Sequence, residues 1–195
     1  MKQFSITLFS EPAVHIACDT LVVPIPRDER PLRGEAGWVD WRICGALSEQ
    51  LASGFVTGLR GEAVLLPAPR PLPAARLLLV GIGNTERLEG RILQRGFAQV
   101  AEKLISLRAP AATIAFPGAV DLAYDAEFLV QGCLAAFSSA SDAARLSLMV
   151  GDAEKCARPL ATAMENTFGG ARQRKVELDI RWPEMEAAET RSAAQ

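Results

Sequence analysis

The residues of this sequence that could bind a ligand follow the carboxyl ends of predicted strands. Glycine at such places lets main-chain N–H groups approach an anion, above all where the loop leads into a helix. Ligands of open α/β sheets also bind at this edge. The same glycines would form tight turns in any such fold, which is the simpler interpretation. With that alternative open, the candidate ligand-binding residues are Arg33, Gly34, Gly37, Gly81, Gly83, Asn84, Pro117 and Gly118.

A charged run and two tryptophans flank the first of these glycines. The run Asp28-Glu29-Arg30, together with Arg33, is interpreted as a solvated loop rather than as a polar clamp for a ligand. Trp38 and Trp41 lie three residues apart, so they share one face of a predicted helix. As core residues each would bury a large apolar area, which we favour. As candidate interface residues, one of them would protrude and contact a partner.

Other reactive residue types form no recognisable active site. Cys18, Cys44, Cys133 and Cys156 are far apart and form no C-x-x-C pair, so we expect reduced, buried thiols and no zinc site. His15 is the single histidine and has no assignable acid or nucleophile beside it, so we expect a structural or exposed role. The sequence therefore predicts no catalytic residue, no metal site and no cofactor.

Composition limits the class of protein. The chain has 195 residues, 49% of them hydrophobic and 23% charged, which is typical of a globular domain. The net charge of -2 and the absence of a long basic run argue against a protein that coats nucleic acid. No signal-peptide pattern and no apolar stretch of membrane-spanning length occurs, so we expect a cytoplasmic protein that does not contact a membrane.

Hydrophobic periodicity predicts alternating strands and helices. The central strands are apolar throughout, whereas the first and the last alternate, as expected of a sheet that is covered on both faces and half-exposed toward its edges. We predict a three-layer α/β/α domain over residues 1–182, with a mixed sheet of about seven strands, and a flexible acidic tail over 183–195. The predicted strands are 3–9, 20–25, 62–67, 76–82, 112–116, 145–150 and 176–182, and the predicted helices are 37–51, 88–107, 125–137 and one that ends at 169–170.

Three consecutive segments carry a family resemblance. They are DERPLRGEAGWVDWR at 28–42, CGALSEQLASGFVTGLRGEAVLLP at 44–67 and RLLLVGIG at 76–83. In order and spacing they resemble the amino-terminal domain of the leucyl (cytosol) aminopeptidase family, over about residues 1–170. The resemblance implies a macro-domain-like α/β/α fold. It also implies that peptidase chemistry, which in that family uses two metal ions bound around the motif NTDAEGR, belongs to a separate carboxy-terminal domain.

Residues 84–91 are only superficially similar to that metal-binding motif. They read NTERLEGR, with one residue too many between the two carboxylates. We interpret them as the entry to a helix and expect no metal there. Because the sequence ends where the catalytic domain of the family would begin, we expect no peptidase activity.

A second resemblance concerns macro domains that bind ADP-ribose. Residues 114–117, IAFP, are similar to the strand that leads into their diphosphate-binding loop. Here residues 118–125 lack the later glycines and place Asp121 and Asp125 where a diphosphate would lie. The early asparagine-rich loop is replaced by residues 24–29. Both differences weaken the expectation of ADP-ribose binding.

Three functions follow as hypotheses. The first is a non-catalytic, stand-alone binding or assembly module that forms a homo-oligomer or joins a separately encoded protein. The alternative is a macro-like domain that binds ADP-ribose or a related nucleotide phosphate. The third is a DNA-binding accessory role, which the resemblance suggests because one bacterial branch of the family has it, but which the net negative charge disfavours.

Overall fold

The computed structural model describes residues 3–9, 11–140, 145–151, 153–169 and 177–181. These residues form seven strands and five α-helices around one sheet. The strands are β1 (Gln3–Leu8), β2 (Cys18–Pro26), β3 (Ala63–Pro67), β4 (Ala74–Gly83), β5 (Ala112–Ile114), β6 (Arg145–Val150) and β7 (Glu177–Arg181). The helices are α1 (Gly34–Arg42), α2 (Ala46–Ala52), α3 (Gly90–Ser106), α4 (Leu122–Ser139) and α5 (Ala153–Gly169), and two 3-10 turns occupy Ala13–His15 and Thr85–Arg87.

The sheet is mixed, as predicted. Its strand order is β3-β4-β2-β5-β6-β1-β7, and every pairing is parallel except that of β3 with β4. The carboxyl ends of the parallel strands therefore meet at one edge of the sheet. The loops that leave this edge are the ones in which the sequence places the candidate ligand-binding residues.

Two hydrophobic cores cover the two faces of the sheet and confirm the predicted three layers. One core contains the buried faces of α3, α4 and α5, including Phe97 and Phe137, and the other contains α1 and α2 with Val39 and Leu47. Strand β2 supplies side chains to both, since Val22 lies in the first core and Val23 in the second. A strand buried on both sides needs apolar residues at successive positions, which explains its uniform sequence.

The helix predicted over residues 37–51 is wrong as a single element. The structure has two helices there, and the first begins at Gly34. Between them Cys44 and Gly45 adopt φ values of 57° and 84°, in the left-handed region that ends an α-helix. The Asp40 carboxylate then accepts the main-chain N–H of Leu47 and of Ser48, at 2.9 and 3.1 Å, and so caps the start of α2.

Helices α3 and α4 agree with the predicted periods; α3 is slightly shorter than predicted and α4 is longer at both ends. Helix α3 buries Leu93, Phe97, Val100 and Leu104, four of the five apolar positions of the predicted stripe. Pro159 lies inside α5. The alternation predicted for the last strand, 176–182, and the tail 183–195 lie outside the described residues and side chains. Within the described ranges, no helix is both long and apolar enough to cross a membrane.

The contact between α3 and α4 supplies a stability test with an internal control. A Cβ atom on Gly132 of α4 would lie 2.8 Å from Cβ of Phe97 and would also meet the carbonyl of Gln94. A Cβ atom on Gly96 of α3 would meet nothing within 4 Å. We expect Gly132→Ala to lower the free energy of unfolding by about 1–3 kcal/mol, because the helices must separate. Gly96→Ala should raise it by roughly 0.5–1 kcal/mol.

Urea denaturation of the two variants measures both effects. Equal stability of the two variants would contradict the described packing of α3 on α4.

Candidate functional site

A cavity of about 290 Å³, here called the rim cavity, opens at the carboxyl ends of β2, β5 and β6. It brings together three of the candidate ligand-binding residues, namely Gly34, Pro117 and Gly118. Gly34 lies more than eighty residues before Pro117 and Gly118 in the sequence, and the parallel strand order makes them neighbours. The described residues that line it are Gly34, Glu35, Phe116, Pro117, Gly118, Val120, Asp121, Leu122, Ala123, Gly151 and Lys155.

Glu35 is the residue that joins the loops around the rim cavity. Its Oε1 accepts the main-chain N–H of Ala13 at 2.8 Å, and its Oε2 accepts the main-chain N–H of Phe116 at 3.2 Å. The main-chain N–H of Ala36, the residue after Glu35, donates to the carbonyl of Phe116 at 3.1 Å. A carboxylate of the chain thus takes two of the main-chain donors that a bound anion could otherwise use. Sequence reasoning missed Glu35, which stands between two glycines and carries no motif.

The glycines of the rim cavity allow two loops to touch. A Cβ atom on Gly34, whose φ is +61°, would lie 2.7 Å from the main-chain N of Gly118. A Cβ atom on Gly118 would lie 2.6 Å from Cβ of Arg33. Neither position tolerates a side chain, because main-chain atoms fill the space at Gly34 and Cβ of Arg33 fills it at Gly118. These glycines therefore have a packing function that is independent of any ligand.

Two other candidate glycines lie in close packing. A Cβ atom on Gly37, inside α1, would lie 2.6 Å from the carbonyl oxygen of Leu32. A Cβ atom on Gly81 would overlap the carbonyl oxygen of Leu59. Both arrangements favour the simpler interpretation, that these glycines let neighbouring segments approach.

Gly83 and Asn84 line a separate cavity of about 480 Å³, here called the arginine cavity. It lies where β4 ends and β2 turns away, and its other lining residues are Arg27, Leu59, Arg60, Arg87 and Ile92. The three arginines come from three segments, and sequence reasoning did not select them. The available signal was weak: each lies within a few residues of the end of a predicted strand.

The tryptophans are exposed, so the expectation that they belong to the core is wrong. The exposed fractions are 60% for Trp38 and 71% for Trp41, and the rings meet edge to face with centroids 5.9 Å apart. The buried side of α1 is instead formed by Ala36 and Val39. Helical periodicity places residues 38 and 41 away from that side. Both line a third cavity of about 230 Å³, here called the tryptophan cavity, with Pro12, Val14, His15 and Arg42.

The charged run is held by hydrogen bonds to main-chain groups. Asp28 accepts the N–H of Thr85 at 2.8 Å, and this bond holds the pKa of the Asp28 carboxyl below its usual range. Glu29 accepts the N–H of Arg33 at 3.0 Å, and Arg30 donates to the carbonyl of Pro26 at 2.9 Å. The loop is therefore a fixed structural element rather than a set of ion pairs.

The acidic residues of loop 117–125 also have structural partners. Asp121 accepts the N–H of Ala123 at 2.9 Å and caps α4. Asp125 accepts the N–H of Asp121 at 3.0 Å, and burial raises the pKa of the Asp125 carboxyl. Since Asp121 and Glu35 both line the rim cavity, its charge is partly negative, and Lys155 is the one cation among its described lining residues.

The cysteines differ in exposure. Cys133 is fully buried in α4, and desolvation raises the pKa of its thiol to about 12. Cys18 is half-buried, whereas Cys44 is exposed, contrary to the expectation of buried thiols. Cys44 reaches the surface because it stands at the left-handed break between α1 and α2. Residues 84–91 contain the turn Thr85–Arg87 and the start of α3, as a helix entry should.

Comparisons with known proteins agree with this fold. The family model "Cytosol aminopeptidase family, N-terminal domain" matches residues 22–140. A Syntrophotalea carbinolica protein named "Probable cytosol aminopeptidase" is 32% identical over 130 residues, which cover 64% of this chain and 26% of that protein. This chain thus spans about a quarter of the length of that relative.

Two solved structures show the same fold at low sequence identity. A tomato leucine aminopeptidase mutant superposes with a TM-score of 0.59 and 17% identity, over 83% of this chain and 36% of that one. A Trypanosoma brucei macrodomain in complex with ADP-ribose superposes with a TM-score of 0.59 and 17% identity, over 82% of this chain and 68% of that one. Both the family resemblance and the macro-domain-like fold predicted from the sequence are confirmed.

The bonds of Glu35 can be tested by a substitution that keeps its shape. In Glu35→Gln one oxygen becomes an NH₂ group, which would face an N–H donor instead of accepting from it. We expect the free energy of unfolding to fall by about 1–3 kcal/mol, the usual effect of leaving a partly buried donor without an acceptor. Glu49→Gln is the control, because Glu49 is exposed on α2.

Urea denaturation of both variants gives the comparison. A Glu35→Gln variant as stable as Glu49→Gln would show that the carboxylate does not hold the loops together.

Proposed function

The chain belongs to the cytosol aminopeptidase family through that family's N-terminal domain, and on that premise we propose that it is a non-catalytic binding and assembly module. Its docking surface is the tryptophan cavity. The observation that carries this proposal is the exposure of two adjacent tryptophans, 60% for Trp38 and 71% for Trp41. Proteins rarely leave two large rings together in water unless a partner covers them.

The tryptophan cavity has the composition of an interface anchor. Trp and Arg are the residues that most often dominate binding energy at protein interfaces. Arg42 contributes a positive charge beside the rings, and its buried Nε has no hydrogen-bond partner among the described residues. Pro12 and Val14 complete an apolar wall. The complementary partner surface is an apolar side chain next to a carboxylate.

The proposed partner is the remainder of a cytosol aminopeptidase. In the Syntrophotalea carbinolica relative the matched segment is 26% of the protein, so a domain of this kind exists there beside a much larger portion. Domains joined in one chain commonly share an interface of roughly 600–1,500 Å². Whether the larger portion is joined covalently or supplied by another protein, the same surface would face it.

Substitution of both tryptophans tests the docking surface. The probe is the Syntrophotalea carbinolica aminopeptidase from which the matched segment has been removed. We expect Trp38→Ala combined with Trp41→Ala to weaken binding at least about 30-fold, which corresponds to about 2 kcal/mol. Folding stability should change by less than about 1 kcal/mol, because the rings are largely exposed.

Phe55→Ala is the matched control for this measurement. Phe55 is 58% exposed, similar to Trp38, and does not line the tryptophan cavity. Isothermal titration calorimetry gives the affinities, and light scattering of this chain alone reports self-association. Binding that survives the double substitution, or that Phe55→Ala weakens equally, would refute the docking surface. Self-association that requires the tryptophans would assign the surface to a second copy of this chain.

A nucleotide phosphate in the rim cavity is the second candidate function. It is favoured by the position of that cavity at the carboxyl ends of three parallel strands, in a fold shared with a macrodomain in complex with ADP-ribose. Lys155 supplies positive charge there. Because Glu35 takes two of the main-chain donors, the ligand would be held by fewer N–H groups than the strand ends present.

Filling the rim cavity tests the second candidate. If ADP-ribose binds there, a concentration of about 100 times its Kd should add about 2.7 kcal/mol to folding stability. We expect Ala123→Trp to abolish the shift in melting temperature, because Ala123 lines the cavity. Tyr124→Ala, at the next and exposed position, should retain it. If ADP-ribose does not shift the melting temperature of the wild-type protein, nucleotide binding in the rim cavity is refuted.

A further inference from the structure

The arginine cavity has the features of an anion site. We propose that it binds a compact small-molecule anion with two or more phosphate groups, held by the guanidinium groups of Arg27, Arg60 and Arg87. This site is separate from the rim cavity and from the tryptophan cavity, with which it shares no lining residue.

The main chain fixes two of the three arginines at the edge of the sheet. The N–H of Arg27, directly after β2, donates to the carbonyl of Gly83 at 2.9 Å. The N–H of Gly83 donates in turn to the carbonyl of Gly58 at 2.9 Å, which holds the segment that carries Arg60. The Arg60 guanidinium lies over Gly83, since a Cβ atom built there would be 3.3 Å from its Nη2. A glycine at this point leaves room for the guanidinium.

The third arginine is positioned by Asp28. Arg87 ends the 3-10 turn Thr85–Arg87, which follows β4. The Asp28 carboxylate accepts both the N–H and the hydroxyl of Thr85, at 2.8 and 3.1 Å, and so ties this turn to the end of β2. Three separate segments therefore converge on one cavity through bonds that involve none of the three guanidinium groups.

The three guanidinium groups have no ion pair and no hydrogen-bond partner within the part of the chain that the structure describes. Among the described residues that line the cavity there is no carboxylate. Two carboxylates of the adjoining segments are engaged elsewhere, since Asp28 bonds to Thr85 and Glu62 accepts the N–H of Gly58 at 2.7 Å. The positive charge is local, because the whole chain has a net charge of -2.

The chemistry of arginine selects the ligand class. A guanidinium group presents a planar fork of donors that matches phosphate oxygens, and such charge-assisted bonds are stronger than neutral ones. Like charges that face one cavity repel each other, and an anion that contacts all of them removes the repulsion. Because the forks come from three segments, an anion with several phosphate groups can meet all three, whereas a single phosphate offers fewer oxygens.

Calorimetric titration of the full chain with inorganic tripolyphosphate at low ionic strength tests the site. We expect wild-type protein to bind it more tightly than orthophosphate, and Arg60→Gln to weaken the binding roughly tenfold or more. Arg70→Gln is the control, because Arg70 precedes β4 at the opposite end of that strand. Without ligand, Arg60→Gln should melt at the wild-type temperature or above it, since it removes only repulsion.

The outcomes separate the site from its alternatives. The proposal would be overturned if Arg60→Gln left tripolyphosphate binding unchanged, or if Arg70→Gln weakened it equally. Either result would indicate diffuse attraction to surface charge. If Ala123→Trp abolished tripolyphosphate binding, the ligand would be assigned to the rim cavity and the proposal would likewise be overturned. Absence of wild-type binding would refute it directly. If a DNA duplex binds in a manner that depends on Arg60, and tripolyphosphate does not bind, the cavity would be a nucleic-acid surface and the proposed small-anion site would be refuted.

Discussion

The bridge made by Glu35 is the interaction on which the edge of the sheet depends. Its two oxygens accept N–H groups from the segment after β1 and from the segment after β5, while its own main chain begins α1 after β2. Three loops that a parallel sheet merely brings near each other are thereby fixed in one arrangement. In that arrangement Gly34 and Gly118 touch, and the contact requires glycine at both positions because either Cβ atom would overlap its neighbours.

This bridge divides the edge of the sheet into two regions of opposite charge. Around the rim cavity, Glu35 and Asp121 present carboxylates to the space above β5. Above the end of β4, Arg27, Arg60 and Arg87 present positive charge, with no carboxylate among the described residues that line this cavity. The proposed anion site therefore lies on the β4 side, whereas the fold as such would favour the rim cavity.

Sequence periodicity was sufficient to predict the three layers and a mixed sheet of about seven strands, because burial on one or two faces imposes a period on each element. It failed where one residue changes the chain direction, as Cys44 does with a φ of 57°. It also placed Trp38 and Trp41 in the core, since an apolar stripe does not show which side of a short helix faces the sheet. The arginine cavity could not be predicted, because its arginines meet only through the register of β2 with β4 and through hydrogen bonds that join the segments around these strands.

The exposed tryptophans and the unpaired arginines share one energetic property. Neither group contributes appreciably to folding, since exposed rings gain little from burial and unpaired cations gain nothing from each other. Their interaction energy is therefore still available to a partner. The two surfaces differ in the ligand that they fit. The edge-to-face rings beside Arg42 fit an apolar group next to a carboxylate. The three converging guanidinium groups fit concentrated negative charge. The two proposed sites share none of their described lining residues, so occupation of one by its proposed ligand would leave the other accessible.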